Sequence, residues 1–190
     1  MTEFVIEAHR KKIPIDHPNE SITLDKINFK PMIKIADYTT TSNITSIVFE
    51  GLDINTYGVY QLIVSLKNPT TYNSRYFILI EGETSYTNCY LQYLQVSGTS
   101  ITANRANDSS ICYSTGGQRT FAFVTIVKDP DGYVRYIVHE SRYTGAGVII
   151  VLQAGCKTNT VTNVTRIEIK SEIANAIGAG SRFILLTPQR

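Results

Sequence analysis

The chain has 190 residues, of which only 18% are charged, and its formal charge of +2 is the balance of 18 basic and 16 acidic side chains. So small and evenly spread a charge sets up no strong field for nucleic acid or anionic lipid, and the longest basic run, Arg10-Lys11-Lys12, is short. No stretch approaches the roughly 20 apolar residues of a membrane span, and the first residues lack the apolar run of an export signal, so the expectation is a protein made and kept soluble in a cytoplasm, with neither nucleic acid nor membrane as partner.

The first 42 residues are interrupted by Pro14, Pro18 and Pro31, while Ile27, Phe29, Ile33 and Ile35 share one face of an extended chain. This predicts an N-terminal arm over 1–42, serving attachment or strand exchange between subunits, with Thr39-Thr40-Thr41-Ser42 as the hinge to a domain over 43–190. An arm of this kind needs a partner for its edge hydrogen bonds: its own domain, a sister subunit or another protein.

From Ile44 onward, short β-branched and aromatic runs alternate with turn signals. The runs predict strands over 44–49, 59–67, 75–80, 90–96, 121–128, 134–139, 148–153, 164–170 and 182–186, with weaker ones over 100–103 and 109–113. Turn chemistry falls between them, as in Asn68-Pro69, Ser97-Gly98 and Asp129-Pro130-Asp131-Gly132. The fold class expected is all-β, a two-sheet antiparallel β-sandwich, jelly-roll-like, with an extended N-terminal arm; a closed barrel is the alternative. The continuously apolar segments 76–80 and 148–152 belong either at a sheet centre covered on both sides or at a subunit contact, and 172–177 is at most a short helix ending at Gly178.

Residues able to carry chemistry are few. Cys89, Cys112 and Cys156 are odd in number and lack a CxxC spacing, so they read as core or strand residues and not as a metal or disulfide framework. His9, His17 and His139 lack the spacing of a zinc site. The Asp129-to-Glu140 segment has carboxylates at the first, third and twelfth places of a calcium loop but Val134 where its glycine belongs, and so reads as a hairpin turn. Glu81 and Glu83 flank Gly82 and would be the acid/base pair of a glycan hydrolase, the least favoured of three functions considered. Tyr86, Asn104, Arg105, Asp108 and Tyr113 are candidate glycan contacts in a carbohydrate-binding alternative suited to host attachment. In the glycine loop Ile177-Gly178-Ala179-Gly180-Ser181, the glycines serve backbone geometry and not phosphate binding. No cofactor or metal is implied.

The stretches Ile47-Val-Phe-Glu-Gly51-Leu52-Asp53, Tyr60-Gln-Leu-Ile-Val with Asn68 beyond it, and above all Ile177-Gly-Ala-Gly-Ser-Arg-Phe-Ile-Leu185 resemble a β-sandwich domain of phage and archaeal-virus structural proteins, of the capsid-decoration, head-fibre and tail-fibre kind. The resemblance covers residues 44–187. It implies a non-enzymatic virion protein, a homotrimer displayed on the particle and attached by its arm to the major capsid protein or another virion component.

Overall fold

Alternating apolar and polar side chains give each strand one face to bury, and the structure, a computed structural model describing residues 31–189, pairs twelve such strands. They are β1 (Met32–Thr39), β2 (Ser46–Phe49), β3 (Val59–Lys67), β4 (Ser74–Ile80), β5 (Cys89–Ser97), β6 (Ser100–Asn107), β7 (Ser110–Ser114), β8 (Arg119–Lys128), β9 (Tyr133–Tyr143), β10 (Val148–Thr160), β11 (Ile167–Ser171) and β12 (Arg182–Pro188). Eight form one antiparallel sheet in the order β1-β12-β3-β8-β9-β10-β5-β6, and four form a second in the order β2-β11-β4-β7. The expected two-sheet β-sandwich is the fold observed.

The core lies between the sheets. Tyr60, Leu62, Val64 and Leu66 of β3, Val124 and Ile126 of β8, and Val134, Tyr136 and Val138 of β9 bury one face of the large sheet against Ile47, Ile78, Ile80, Ile167 and Ile169 of the small one. Each such side chain contributes on the order of 1.5–3 kcal/mol by leaving water. Strand β4 is buried on both faces, since Phe77 is covered by the ring of Tyr86, stacked at 4.3 Å between centroids. In β10, by contrast, Val148, Ile150 and Leu152 stand exposed on the outer face.

Four local features refine what the sequence predicts. The one helix among the described residues is a single turn, α1 (Ile54–Tyr57), whose first turn is capped by Asp53 accepting from the Thr56 amide at 3.1 Å. Segment 172–177 forms no helix because its backbone groups bond to neighbours: Tyr76 donates its hydroxyl to the Ala176 carbonyl at 2.9 Å, and the Ile177 amide donates to the Ile44 carbonyl at 3.0 Å. Strands β9 and β10 run well past the apolar segments that announced them, since the polar end of each keeps pairing with the start of the other: Glu140 to Tyr143 with Val151 to Val148, and Ala154 to Cys156 with Ile137 to Arg135. Finally, β1 pairs with the sandwich's own β12, so the compact unit begins at Met32 and not after Ser42. Of the proposed attachment stripe, Ile27 and Phe29 lie outside the described residues. Ile33 and Ile35 lie in β1, where a bulge between Lys34 and Ala36 interrupts the alternation that had put them on one face.

At the outer edge, Arg182 binds both oxygens of Asp37 at 2.7 and 2.9 Å, and Lys34 adds a third contact at 2.7 Å. Arg182 foremost, then Lys34, hold this carboxyl well below the usual carboxylate range. The glycine loop before β12 works through its backbone. A Cβ on Gly178 would meet the Lys67 carbonyl oxygen at 2.9 Å, and Gly180 has φ +80°. No helix among the described residues is long and apolar enough to cross a membrane.

Candidate functional site

Eight strands facing four leave part of the large sheet uncovered. The wing β10-β5-β6 extends past β7, the edge of the small sheet, and concavities open on both of its sides.

On the outer face, register aligns residues from separate strands into rows. Val127, Arg135, Cys156, Tyr90 and Asn107 are successive partners across β8, β9, β10, β5 and β6, and the next row runs Thr125, Ile137, Ala154, Gln92, Arg105. These ten residues line one groove of about 620 Å³, so the sheet curls until five adjacent strands present a hollow. Its floor is apolar at Ile137 and Ala154. Arg105 and Arg135 stand in its walls, Arg135 held by Asp129 at 2.9 Å. Beneath it, Gly155 leaves room for the ring of Tyr136 on the core side.

On the inner face lies a smaller, polar cleft of about 300 Å³ between the wing and β7. Along β9 the inward positions change from the buried Val134, Tyr136 and Val138 to the buried Glu140 and the half-buried Arg142. Glu140 is 3% exposed and accepts from the Tyr113 amide and from Arg142, both at 3.1 Å. Arg142 also donates to the Gln95 carbonyl oxygen at 2.8 Å and lies 4.6 Å over the Tyr113 ring, while its buried Nε–H has no partner. Gln153 completes the wall, donating to the Ser110 carbonyl at 3.2 Å. Burial, opposed by Arg142, pushes the Glu140 carboxyl up from 4.5 to about 7.

That shift has a consequence for stability. A carboxyl whose pKa is raised by folding favours the folded state fully below about pH 4.5, and the advantage is lost as pH rises through about 7. The size is on the order of 3 kcal/mol. Glu140→Gln, which mimics the neutral form, is expected to flatten this part of the stability profile; urea midpoints measured across the window that decline as steeply as wild type would refute it.

Of the sequence-derived glycan contacts, Tyr113 and Asp108 line the inner cleft, and Asn104 donates to the Tyr93 hydroxyl at 3.4 Å on the same side. Asp108 is taken by Arg75 at 2.6 Å, an arginine that also binds Glu172 at 2.7 Å. Tyr86 is stacked on Phe77, and Arg105 alone faces the outer groove. The five do not make one surface. The carboxylates of the hydrolase reading are committed to structure: Glu81 accepts from the Thr165 and Arg166 amides, and Glu83 from the Ile80 amide and Lys157. His139 sits exposed on the outer face between Phe123 and Leu152. All three cysteines are free thiols, and no cluster of metal-ligating side chains occurs among the described residues. Glu140, Arg142, Gln95 and Gln153 were missed by sequence reasoning, although a carboxylate and a guanidinium continuing the buried parity of β9 was a readable signal.

No protein-family profile matches the chain, and no curated protein does either. Among solved structures it is similar to a scytalido-glutamic peptidase with a peptide-based transition-state analog, at 11% identity and TM-score 0.31, over 77% of this chain and 65% of that one. A second structure of scytalido-glutamic peptidase, with a transition-state analog inhibitor, matches at 13% identity and TM-score 0.31, over 77% and 73%. The chain thus spans about 65% of the length of the first. The virion structural role expected from the glycine-loop resemblance is corrected by these matches, which are to peptidase structures and not to particle components. At such identity and TM-score the likeness transfers no activity.

Proposed function

We propose that this sandwich is a non-catalytic binding module, and that the groove on the outer face of its wing holds a mainly apolar ligand carrying an anionic group. The observation behind this is the groove's lining: an apolar floor at Ile137 and Ala154, with Arg105 and Arg135 as its two cationic lining residues. Hollows of several hundred Å³ that combine apolar walls with a few fixed polar groups are the usual form of small-ligand sites. Arginine suits the anionic end because its planar donors match a carboxylate or sulfonate. Arg105 forms no ion pair among the described residues, whereas Arg135 is already shared with Asp129, so Arg105 is the primary anchor.

Decanoate is a suitable probe, with decyltrimethylammonium as its cationic counterpart. Decanoate is expected to bind saturably and the cation not. Arg105→Ala should weaken decanoate binding about tenfold, the loss of one charge-assisted contact, and Ala154→Arg should abolish it by filling the floor. Equal binding of both probes, or decanoate affinity unchanged in Ala154→Arg, would overturn the assignment.

A further inference from the structure

The inner cleft holds a buried charged pair that the groove does not use. We propose that this cleft is a second ligand site, taking a small carboxylate at Arg142 and Gln95, and that Glu140 takes up a proton from solvent as the carboxylate enters.

Arg142 is already oriented for the task. Its guanidinium is fixed by Glu140 on one amino group, by Gln95 on the other, and by the ring of Tyr113 along its face. Only two of the five N–H donors of this arginine are accounted for by those bonds, and none of the remainder is satisfied by a second acid. Gln95 uses its carbonyl oxygen for Arg142, which leaves its amide N–H groups to donate to the same incoming oxygens. An arginine held flat with unspent donors needs little reordering when an anion arrives. The volume of about 300 Å³ limits the ligand to a few carbon atoms, with Leu91 and Val151 supplying an apolar wall.

The proton follows from electrostatics. Around Glu140 stand Arg142 on its own strand, Cys112 and Tyr113 on β7, Tyr93 on β5, and Arg75 with Asp108 at the rim. Arg75 is neutralised by Asp108 and Glu172, which leaves Arg142 as the one cation available to two carboxylates. Two anions sharing one buried cation repel, and the group already poised near neutrality is the one that protonates. Neutral Glu140 then stays in place as a hydrogen-bonding wall while the ligand takes over the charge of Arg142.

Butyrate is the probe and butyramide its neutral control, titrated into the full chain and followed by amide shifts in proton–nitrogen spectra. Saturable shifts centred on Gln95, Tyr113 and Arg142 are expected with butyrate and not with butyramide. Affinity should fall at least about tenfold between about pH 5.5 and about pH 8.5. Calorimetry in two buffers of different ionisation enthalpy should report uptake of about half a proton at about pH 7, rising toward one as the pH approaches about 8. In Glu140→Gln, binding should persist and lose its pH dependence; in Gln95→Leu and Arg142→Lys it should weaken about tenfold or more. Thermal melts identify any variant that fails to fold, and Gln95→Leu, which removes no charge, keeps the test decisive. Shifts confined to the outer groove, pH-independent affinity in the wild type, or unchanged affinity in Gln95→Leu would each overturn the proposal.

Discussion

Gly155→Ala is expected to destabilise the sandwich by about 3–5 kcal/mol, a large cost for one methyl group. A Cβ at this position would lie within 2.5 Å of the hydroxyl oxygen of Tyr136 and closer still to its ring. Tyr136 is 1% exposed and fills the core under β10, with its hydroxyl 3.2 Å from the Cys89 sulfur. Neither partner can yield cheaply: the ring is buried in the core, and Gly155 is paired on both sides, to Tyr136 on β9 and Leu91 on β5. Tyr136→Ala should cost a similar amount through the cavity it leaves. In that background Gly155→Ala should cost less than about 1 kcal/mol, because the clash has gone. Urea denaturation of the two single variants and the double variant measures the coupling; additive costs would show that the ring moves aside.

Much of the sandwich was written in local pattern and some of it was not. In β3, the sequence Val-Tyr-Gln-Leu-Ile-Val-Ser-Leu-Lys alternates buried and half-buried positions along its length, and a two-residue period is the signal a strand facing a core leaves in sequence. Strand β6 leaves only a weak one, read over 100–103, since seven of its eight residues are exposed; it runs on to Asn107 because β5 offers it an edge. Segment 172–177, read as at most a short helix, forms none for the complementary reason, that distant strands claim its backbone groups. The outer groove was invisible because register made it: Arg105, Ala154 and Ile137 are far apart in sequence and share a row only through the two ladders of β10 and that of β5 with β6. The glycine loop that suggested a virion protein is explained by backbone geometry alone, by close approach at Gly178 and positive φ at Gly180. Any sandwich turning its chain this way would select the same residues, so the motif carried information about a turn and none about a role.

Glu83→Gln should cost about 3–5 kcal/mol, since it would leave a buried ammonium without its counter-charge. Lys157 reaches from β10 across the interior to the small sheet, where its Nζ donates to the Ile78 carbonyl at 2.7 Å and to Glu83 at 2.6 Å. The lysine side chain is 1% exposed and the glutamate 13%, so water can screen one partner and hardly the other. The asymmetry makes the two single changes unequal: Lys157→Met leaves a carboxylate that can hydrate, and should cost less than Glu83→Gln. Glu83 also accepts from the Ile80 amide at 3.0 Å, so the glutamine, which retains a carbonyl acceptor, isolates the charge from the turn. The double variant Lys157→Met/Glu83→Gln should recover most of the loss, because a matched apolar replacement removes the desolvation cost together with the attraction. Equal costs for the two single variants, or a double variant no better than Glu83→Gln, would mean that the lysine has access to water. The pair would then tie the sheets by hydrogen bonding to Ile78 alone, and the charge on Glu83 would matter only to its own turn.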